Sequence, residues 1–363
     1  MDKRDTLIWL NSIQGVSVKV IEKLESYYGS LENIWSSSNN DINQIKSISE
    51  KTRFEITNKK DQTYFDNVME NIYKNDVKVL TILDEEFPEK LKYIYNCPKV
   101  LYVKGDMLKK QERLIGIVGA RKATAYGKHI TNKFTNELLD LGINPVSGMA
   151  KGVDTEVHVA SIKKNQRNIA VLGCGVDVVY PKSNKYIYEK IMDNGSVISE
   201  FPLGTQPLKY NFPQRNRIIS GLSSGVLVVE ADERSGSLIT AHHAAEQGKE
   251  VFAVPGNINS IYSRGTNLLI KDGAKIVLRV EDIIEEIREF EGIKSKKDKV
   301  RLDYSKLSQD EVKVISFIEE EPIHTDLICI KTSMSISNVN SILTILEMKG
   351  IVKKLPNQLF TIV

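Results

Sequence analysis

At 363 residues the chain is too long for one small core, and at about 150 residues per domain it suggests two or three domains. Hydrophobic residues at 41% and charged residues at 27% are ordinary for a globular protein, and a net charge of +3 means that any strongly basic site must be local. Cys97, Cys174 and Cys329 stand far apart, outside any CxxC or zinc spacing, which argues against a disulfide framework or a structural zinc.

Three isolated cysteines fit a reducing compartment. The opening Met1-Asp2-Lys3-Arg4-Asp5 leads into a pattern too polar for a signal peptide, and no run approaches the ~20 apolar residues that span a bilayer. The expected location is the cytoplasm, away from any membrane.

Residues 1–75 are polar with helical spacing. Leu7, Ile8, Leu10 and Ile13 lead into Gly15-Val16-Ser17, and Val18, Val20, Ile21 and Leu24 continue before Gly29-Ser30. A helix, a Gly-centred turn and a second helix resemble a helix-hairpin-helix or SAM-like module. Two readings stand: turn amides that hold a DNA backbone, or a small protein-interaction module. Val77–Leu83 reads as a strand, and Cys97–Val103 ends in a second, turned at Gly105-Asp106.

Within a domain expected at residues 76–290, the pattern from 114 to about 290 becomes strand, loop, helix, repeated. Short continuous apolar runs at 114–118, 143–146, 169–172, 196–199, 226–230, 251–254 and 275–278 suit strands buried on both faces. The alternation predicts an α/β fold with a doubly wound parallel sheet of Rossmann type, whose ligands sit beyond the carboxyl ends of the strands. Residues 291–302 are charged and aperiodic and read as a linker. Residues 303–363 predict a winged helix, with Ser308 and Glu311 at capping-box spacing and Asn338–Met348 as its third helix. That helix has no Arg or Lys before Lys349, so protein interaction or weak DNA binding is expected of it.

The loops carry the chemistry. Gly119-Ala120-Arg121-Lys122 follows the first of the parallel strands and opens a helix from Tyr126 to Leu141, a turn that points amides and a positive helix end at an anion. It is not GxGxxG, and no acid closes the next strand to hold a ribose, so a dinucleotide site is weakly supported. No GxxxxGK followed by Ser or Thr occurs. Ser147-Gly148-Met149-Ala150-Lys151-Gly152 repeats the pattern of small residues with a cation, and Asp154 is placed to cap the following helix. Lys182 stands before a further helix.

Lys209-Tyr210-Asn211-Phe212-Pro213-Gln214-Arg215-Asn216-Arg217 is the densest stretch. No carboxylate lies between Glu200 and Glu230, so these arginines are expected to face an outside anion. Cations interleaved with aromatics suit a nucleic-acid strand. Glu230 ends a strand before Ser235-Gly236-Ser237 opens a helix. It could serve as a general base; the reading preferred here has it hold Arg215 or Arg217 in place, since no partnered nucleophile is visible.

Together, Gly119-Ala120-Arg121 with Tyr126-Gly127, Ser147–Asp154 with His158, Phe212–Leu222, Ser235–Ala241, Pro255-Gly256 and Gly265-Thr266-Asn267 resemble the DprA/Smf family of DNA-processing proteins. The resemblance covers roughly residues 80–330, and the two ends match common family extensions. It implies a non-catalytic protein without cofactor or metal that binds single-stranded DNA, dimerises through its Rossmann-like domain and loads the RecA recombinase during natural transformation. It places phosphates on Arg121, Lys182, Lys209, Arg215 and Arg217, with Lys122, Lys151, Asn211 and the Ser147–Gly152 backbone beside them. Phe212 is the stacking candidate, and Asp154, Glu230, Ser235 and Gly236 support the site. Two rivals share the broad fold group: a LOG-like nucleotide hydrolase, whose PGGxGT loop is replaced here by Glu230–Ser237, and a nucleotide-sensing module.

Overall fold

The apolar runs of the central chain pair with one another in a single sheet. The computed structural model describes residues 1–293, 304, 307–318, 322–355 and 358–362, so most of the expected linker at 291–302 lies outside them. The chain divides into two compact units, Met1–Lys294 and Ser295–Val363.

In the first unit the strands are β1 (Lys78–Thr81), β2 (Val100–Gly105), β3 (Leu114–Val118), β4 (Asn144–Ser147), β5 (Ile169–Val171), β6 (Ser196–Ser199), β7 (Gly225–Val228), β8 (Glu250–Ala253) and β9 (Lys275–Ile276). Their order across the sheet is β1-β2-β6-β5-β4-β3-β7-β8-β9. The strands from β6 to β9 in that order run parallel, while β1 and β2 form an antiparallel extension on β6. Every residue of β3, β5, β6 and β7 is buried, because helices cover both faces. The winding reverses between β3 and β7, so the loops that leave these two strands diverge and open a crevice.

Six helices precede the sheet: α1 (Lys3–Ser12), α2 (Val18–Tyr28), α3 (Leu31–Ser36), α4 (Asn39–Gln44), α5 (Glu50–Asn58) and α6 (Gln62–Lys74). The turn glycines have the backbone their positions need, φ +88° at Gly15 and +76° at Gly29, where the chain leaves α2 left-handed. Leu7, Trp9, Leu24 and Ile34 form a core that also takes in Val100 and Tyr102 of β2. The Tyr102 hydroxyl donates to Asn11 at 2.9 Å, and Arg4 donates to the Val79 carbonyl at 2.9 Å. The helices thus rest on the antiparallel end of the sheet.

After α7 (Glu89–Lys92), the crossovers are α8 (Ala125–Asp140), α9 (Val153–Lys163), α10 (Lys185–Asn194), α11 (Asn211–Leu222), α12 (Gly236–Glu246) and α13 (Ile261–Lys271), with α14 (Glu281–Ile284) after β9. Two loops at the carboxyl edge touch at Gly152. Its φ of +79° is glycine's, and a Cβ there would lie 2.2 Å from the Ala120 carbonyl oxygen.

The second unit holds α15 (Gln309–Ile318), β10 (Ile323–His324), α16 (Thr325–Thr332), α17 (Ile336–Met348), β11 (Val352–Lys354) and β12 (Leu359–Ile362). Ser308 and Glu311 exchange backbone N–H bonds at 2.8 and 3.2 Å, the expected capping box. Val314, Ile328, Leu343 and Phe360 fill the core. The one lysine at the end of α17, Lys349, is bonded to Glu311 at 2.7 Å.

Gly152→Ala is expected to lower stability by about 1–3 kcal/mol through strain and collision with the neighbouring loop. Calorimetric melting of the full chain measures it, and an unchanged Tm would contradict this packing.

Candidate nucleic-acid interface

The loops after β3, β4, β5, β6 and β7 all leave the same edge of the sheet. Thr124 caps α8, accepting from the Gly127 N–H at 3.0 Å. The crevice beside it is filled from within. The Glu230 carboxylate accepts the Thr124 N–H at 2.9 Å and its hydroxyl at 2.5 Å. A Cβ on Gly127 would meet that carboxylate at 2.1 Å, so the helix start needs glycine there. The anion at the start of α8 is therefore the protein's own. This corrects two expectations: Glu230 secures Thr124 rather than an arginine, and the start of α8 is not open to an outside phosphate.

The β4–α9 loop is drawn inward. Ser147 is fully buried and donates to the Ile117 carbonyl at 2.7 Å. Asp154 does not cap α9, where Gly152 stands at the N-cap. Its carboxylate instead accepts the N–H groups of Gly148 and Ala150, at 3.1 and 3.3 Å. Met149 adopts φ +58° between them. Burial pushes the Asp154 carboxyl above its usual range, opposed by the charge of Arg215.

Arg215 lies beneath this loop, 4% exposed. Its guanidinium donates to the carbonyls of Gly148, at 2.6 Å, and Val171, and to Asn216 at 3.2 Å. A Cβ on Gly148 would sit 2.6 Å from it. Burial lowers its pKa to about 10, which leaves it charged at neutral pH. Arg217 is also spent internally. It meets Glu200 through two bonds of 2.7 and 2.6 Å, and donates to the carbonyls of Asn96 and Gln214. The absence of a carboxylate between Glu200 and Glu230 thus misdirected the reading, because the partner is Glu200 itself.

Outside this interior layer stands a different set. Arg121, Lys122, Lys151, Lys182 and Lys209 are exposed, and among the described residues no carboxylate pairs with any of them. Phe212 is half-buried at the first turn of α11, its ring packed on Gly173, where a Cβ would lie 2.9 Å away. The Arg121 guanidinium sits 5.5 Å from the ring centroid on the outside, and Arg215 at 5.8 Å from within. Tyr180, whose aromatic ring drew no weight from the sequence, lies 5.6 Å from Phe212. Asn211 is buried and bonded to the Gln206 carbonyl at 3.3 Å. Ser235 caps α12, and the Gly236 carbonyl accepts from Asn216 at 3.2 Å, linking α12 to α11. The rim therefore presents five cations and an aromatic pair, a surface suited to a flexible phosphate chain with exposed bases.

His158 faces Asn168 at 2.7 Å with its second ring nitrogen unbonded, and burial drives its pKa down to about 4, so it is a neutral core residue. Burial lifts the thiols of Cys97 and Cys174 to about 11, which leaves them protonated and poor nucleophiles.

The family model for DNA recombination-mediator protein A matches residues 78–288, and that for the DprA winged helix domain matches residues 302–358. The DNA processing protein DprA of Bacillus subtilis is 47% identical over 214 residues, 59% of this chain and 72% of the relative. The X-ray structure of DNA processing protein A from Streptococcus pneumoniae superposes with a TM-score of 0.68 at 34% identity, covering 78% of this chain and 98% of that one. A structure of DNA processing protein A from Helicobacter pylori, described by its single-stranded DNA binding mode, gives 0.52 at 31% identity over 58% of this chain and 94% of that one.

Arg217→Ala is expected to cost about 3–5 kcal/mol by leaving the largely covered Glu200 carboxylate without its partner. Chemical denaturation checks this, and full stability with lost ligand affinity would return Arg217 to the binding surface. The depressed pKa of His158 adds a pH dependence. Its contribution is present above the unfolded value near 6.5 and is lost as pH falls toward about 4, on the order of 3 kcal/mol. The stability measured by chemical denaturation should fall less steeply between these pH values in His158→Gln than in wild type; equal slopes would contradict it. The comparison is made on one background, so the opposite effect of Asp154 enters both curves.

Proposed function

The chain belongs to the DNA recombination-mediator protein A family, and from that premise we propose that it is a non-catalytic single-stranded-DNA-binding protein that delivers incoming DNA to the RecA recombinase in natural transformation. The observation that carries the binding is the rim of exposed cations on the loops at the carboxyl edge of the sheet, with no carboxylate partner among the described residues. Arg121, Lys122, Lys151, Lys182 and Lys209 hold phosphates, while Phe212 and Tyr180 offer faces to bases. Arg215 acts from below by holding the Gly148 loop, and adds its charge to the rim without reaching the solvent. The single-strand mode of the Helicobacter pylori protein supports the same ligand here. The recombinase step rests on the family motifs.

The non-catalytic reading is favoured by Glu230. A hydrolase in this crevice needs a free carboxylate and room for a nucleotide phosphate; this carboxylate is bonded to Thr124 and occupies that room. Release of free base from a nucleoside monophosphate would favour the hydrolase instead. Saturable mononucleotide binding without turnover would favour the sensor.

The protein forms a homodimer through the sheet unit. The β9 edge and the adjoining α13 expose Ile276, Leu278, Ile261 and Leu268, the last two on one helix face by their spacing of seven. The helical segment 1–75, the sheet unit 76–290 and the winged helix 303–363 divide the work, with the central unit taking most of the strand. No helix among the described residues is long and apolar enough to cross a membrane.

Fluorescence anisotropy of a labelled oligonucleotide tests the binding. Single strands are expected to bind better than duplex, Arg121→Ala to weaken them by about 1–3 kcal/mol, and affinity to fall steeply with salt. Equal affinity of wild type and variant, or a flat salt series, would overturn the phosphate assignment.

A further inference from the structure

The groove between α2 and the segment leading into β2 carries charge and aromatic surface that the rim leaves unused. Lys19, Lys23 and Tyr27 recur every four residues along α2 and so share one face. Lys92, Tyr95 and Lys99 line the opposite wall, and the open groove between them has a volume of about 910 Å³. Four lysines face it against one acid, Glu22, a local excess as large as that of the entire chain, +3.

Part of that charge is already engaged. Lys99 meets Glu22 at 3.2 Å and Lys92 meets Glu89 at 3.0 Å. Lys23 donates to the Ser47 carbonyl at 2.7 Å, and Lys19 lies 5.4 Å from the Tyr95 ring centroid. These two ammonium groups have no carboxylate partner among the described residues. Tyr95 is 74% exposed and Tyr27 55%; Lys19 lies over one face of Tyr95 and Tyr28 meets Tyr27 edge to face, and the remaining ring surface is open to stacking. An acidic peptide would use the lysines alone; a single nucleic-acid strand uses the lysines and the rings together.

The groove is tied to α11, the helix that carries Phe212. Arg217 donates to the carbonyl of Asn96, a groove residue, at 3.1 Å. Along α11 it stands five residues from Phe212, an axial rise of about 8 Å. We propose that this groove is a second contact for the single strand, with phosphates on Lys19 and Lys23 and bases against Tyr27 and Tyr95. The proposal rests on the single-strand reading of the rim and extends it to the N-terminal helices.

The test uses the full chain and labelled oligothymidylates of about 6 and about 30 nucleotides, the shorter within one binding surface. Lys19→Gln/Lys23→Gln and Tyr95→Ala should bind the short oligomer as wild type does. Each should bind the long one about tenfold more weakly, and the lysine variant should lose about 1.4 from its salt slope. The substituted side chains are on the surface, and matching melting curves verify the fold. Wild-type affinity and slope for the long oligomer would overturn the groove and leave the rim standing. Failure of the wild type to bind either oligomer would remove the rim, and the groove with it. As a second measurement, photocrosslinking of a long oligomer carrying iododeoxyuridine should mark Tyr27 or Tyr95; adducts confined to other peptides would overturn the proposal.

Discussion

The charge of Arg215 is the constraint around which the carboxyl edge is built. A guanidinium withdrawn from water is costly unless its donors are met and an opposite charge is near. Here the carbonyls of Gly148 and Val171 meet the donors, and Asp154 supplies the charge. The consequences spread outward. Gly148 has no room for a side chain, and Asp154 bends back to the loop amides instead of capping α9. The ends of β4 and β5 are thereby tied to α11. Phe212, one turn earlier on α11, is held against Gly173 with its outer face toward Arg121.

The result is a layered distribution of charge. Arg215 and Arg217 form an inner layer whose partners are protein atoms. The five exposed cations form an outer layer that meets no carboxylate among the described residues. Exposed lysines retain their hydration and rotamer freedom, so they adapt to a flexible polyanion at little cost. The inner arginines contribute order. Glu230 performs a complementary task at the switch point. By neutralising the start of α8 from inside, it turns a crevice that other doubly wound sheets offer to nucleotides into a packed joint between the loops of β3 and β7.

Much of the fold was legible because its signals are local. Buried parallel strands are short unbroken apolar runs, and 114–118 and 196–199 were found with the bounds they have. The capping box of Ser308 and Glu311 depends on three residues of chain. The placement of Arg121 and Phe212 at one edge followed from the alternation of strand and helix. The errors share a cause. Arg217 pairs with Glu200, 17 residues away across a loop and the first turns of α11, and Glu230 reaches Thr124 over 106 residues. No spacing rule connects such positions, since the contact exists only once the sheet has brought separate loops together.

By itself, then, the amino-acid sequence determined the doubly wound architecture, the winged helix and the loops that hold the chemistry. Periodicity, capping and turn residues act over a few positions of chain. Only the tertiary structure decided which cations of those loops are spent within the protein and which face solvent. That division depends on burial and on partners distant in sequence, and the energy of a charge is set by the atoms around it rather than by its neighbours along the chain.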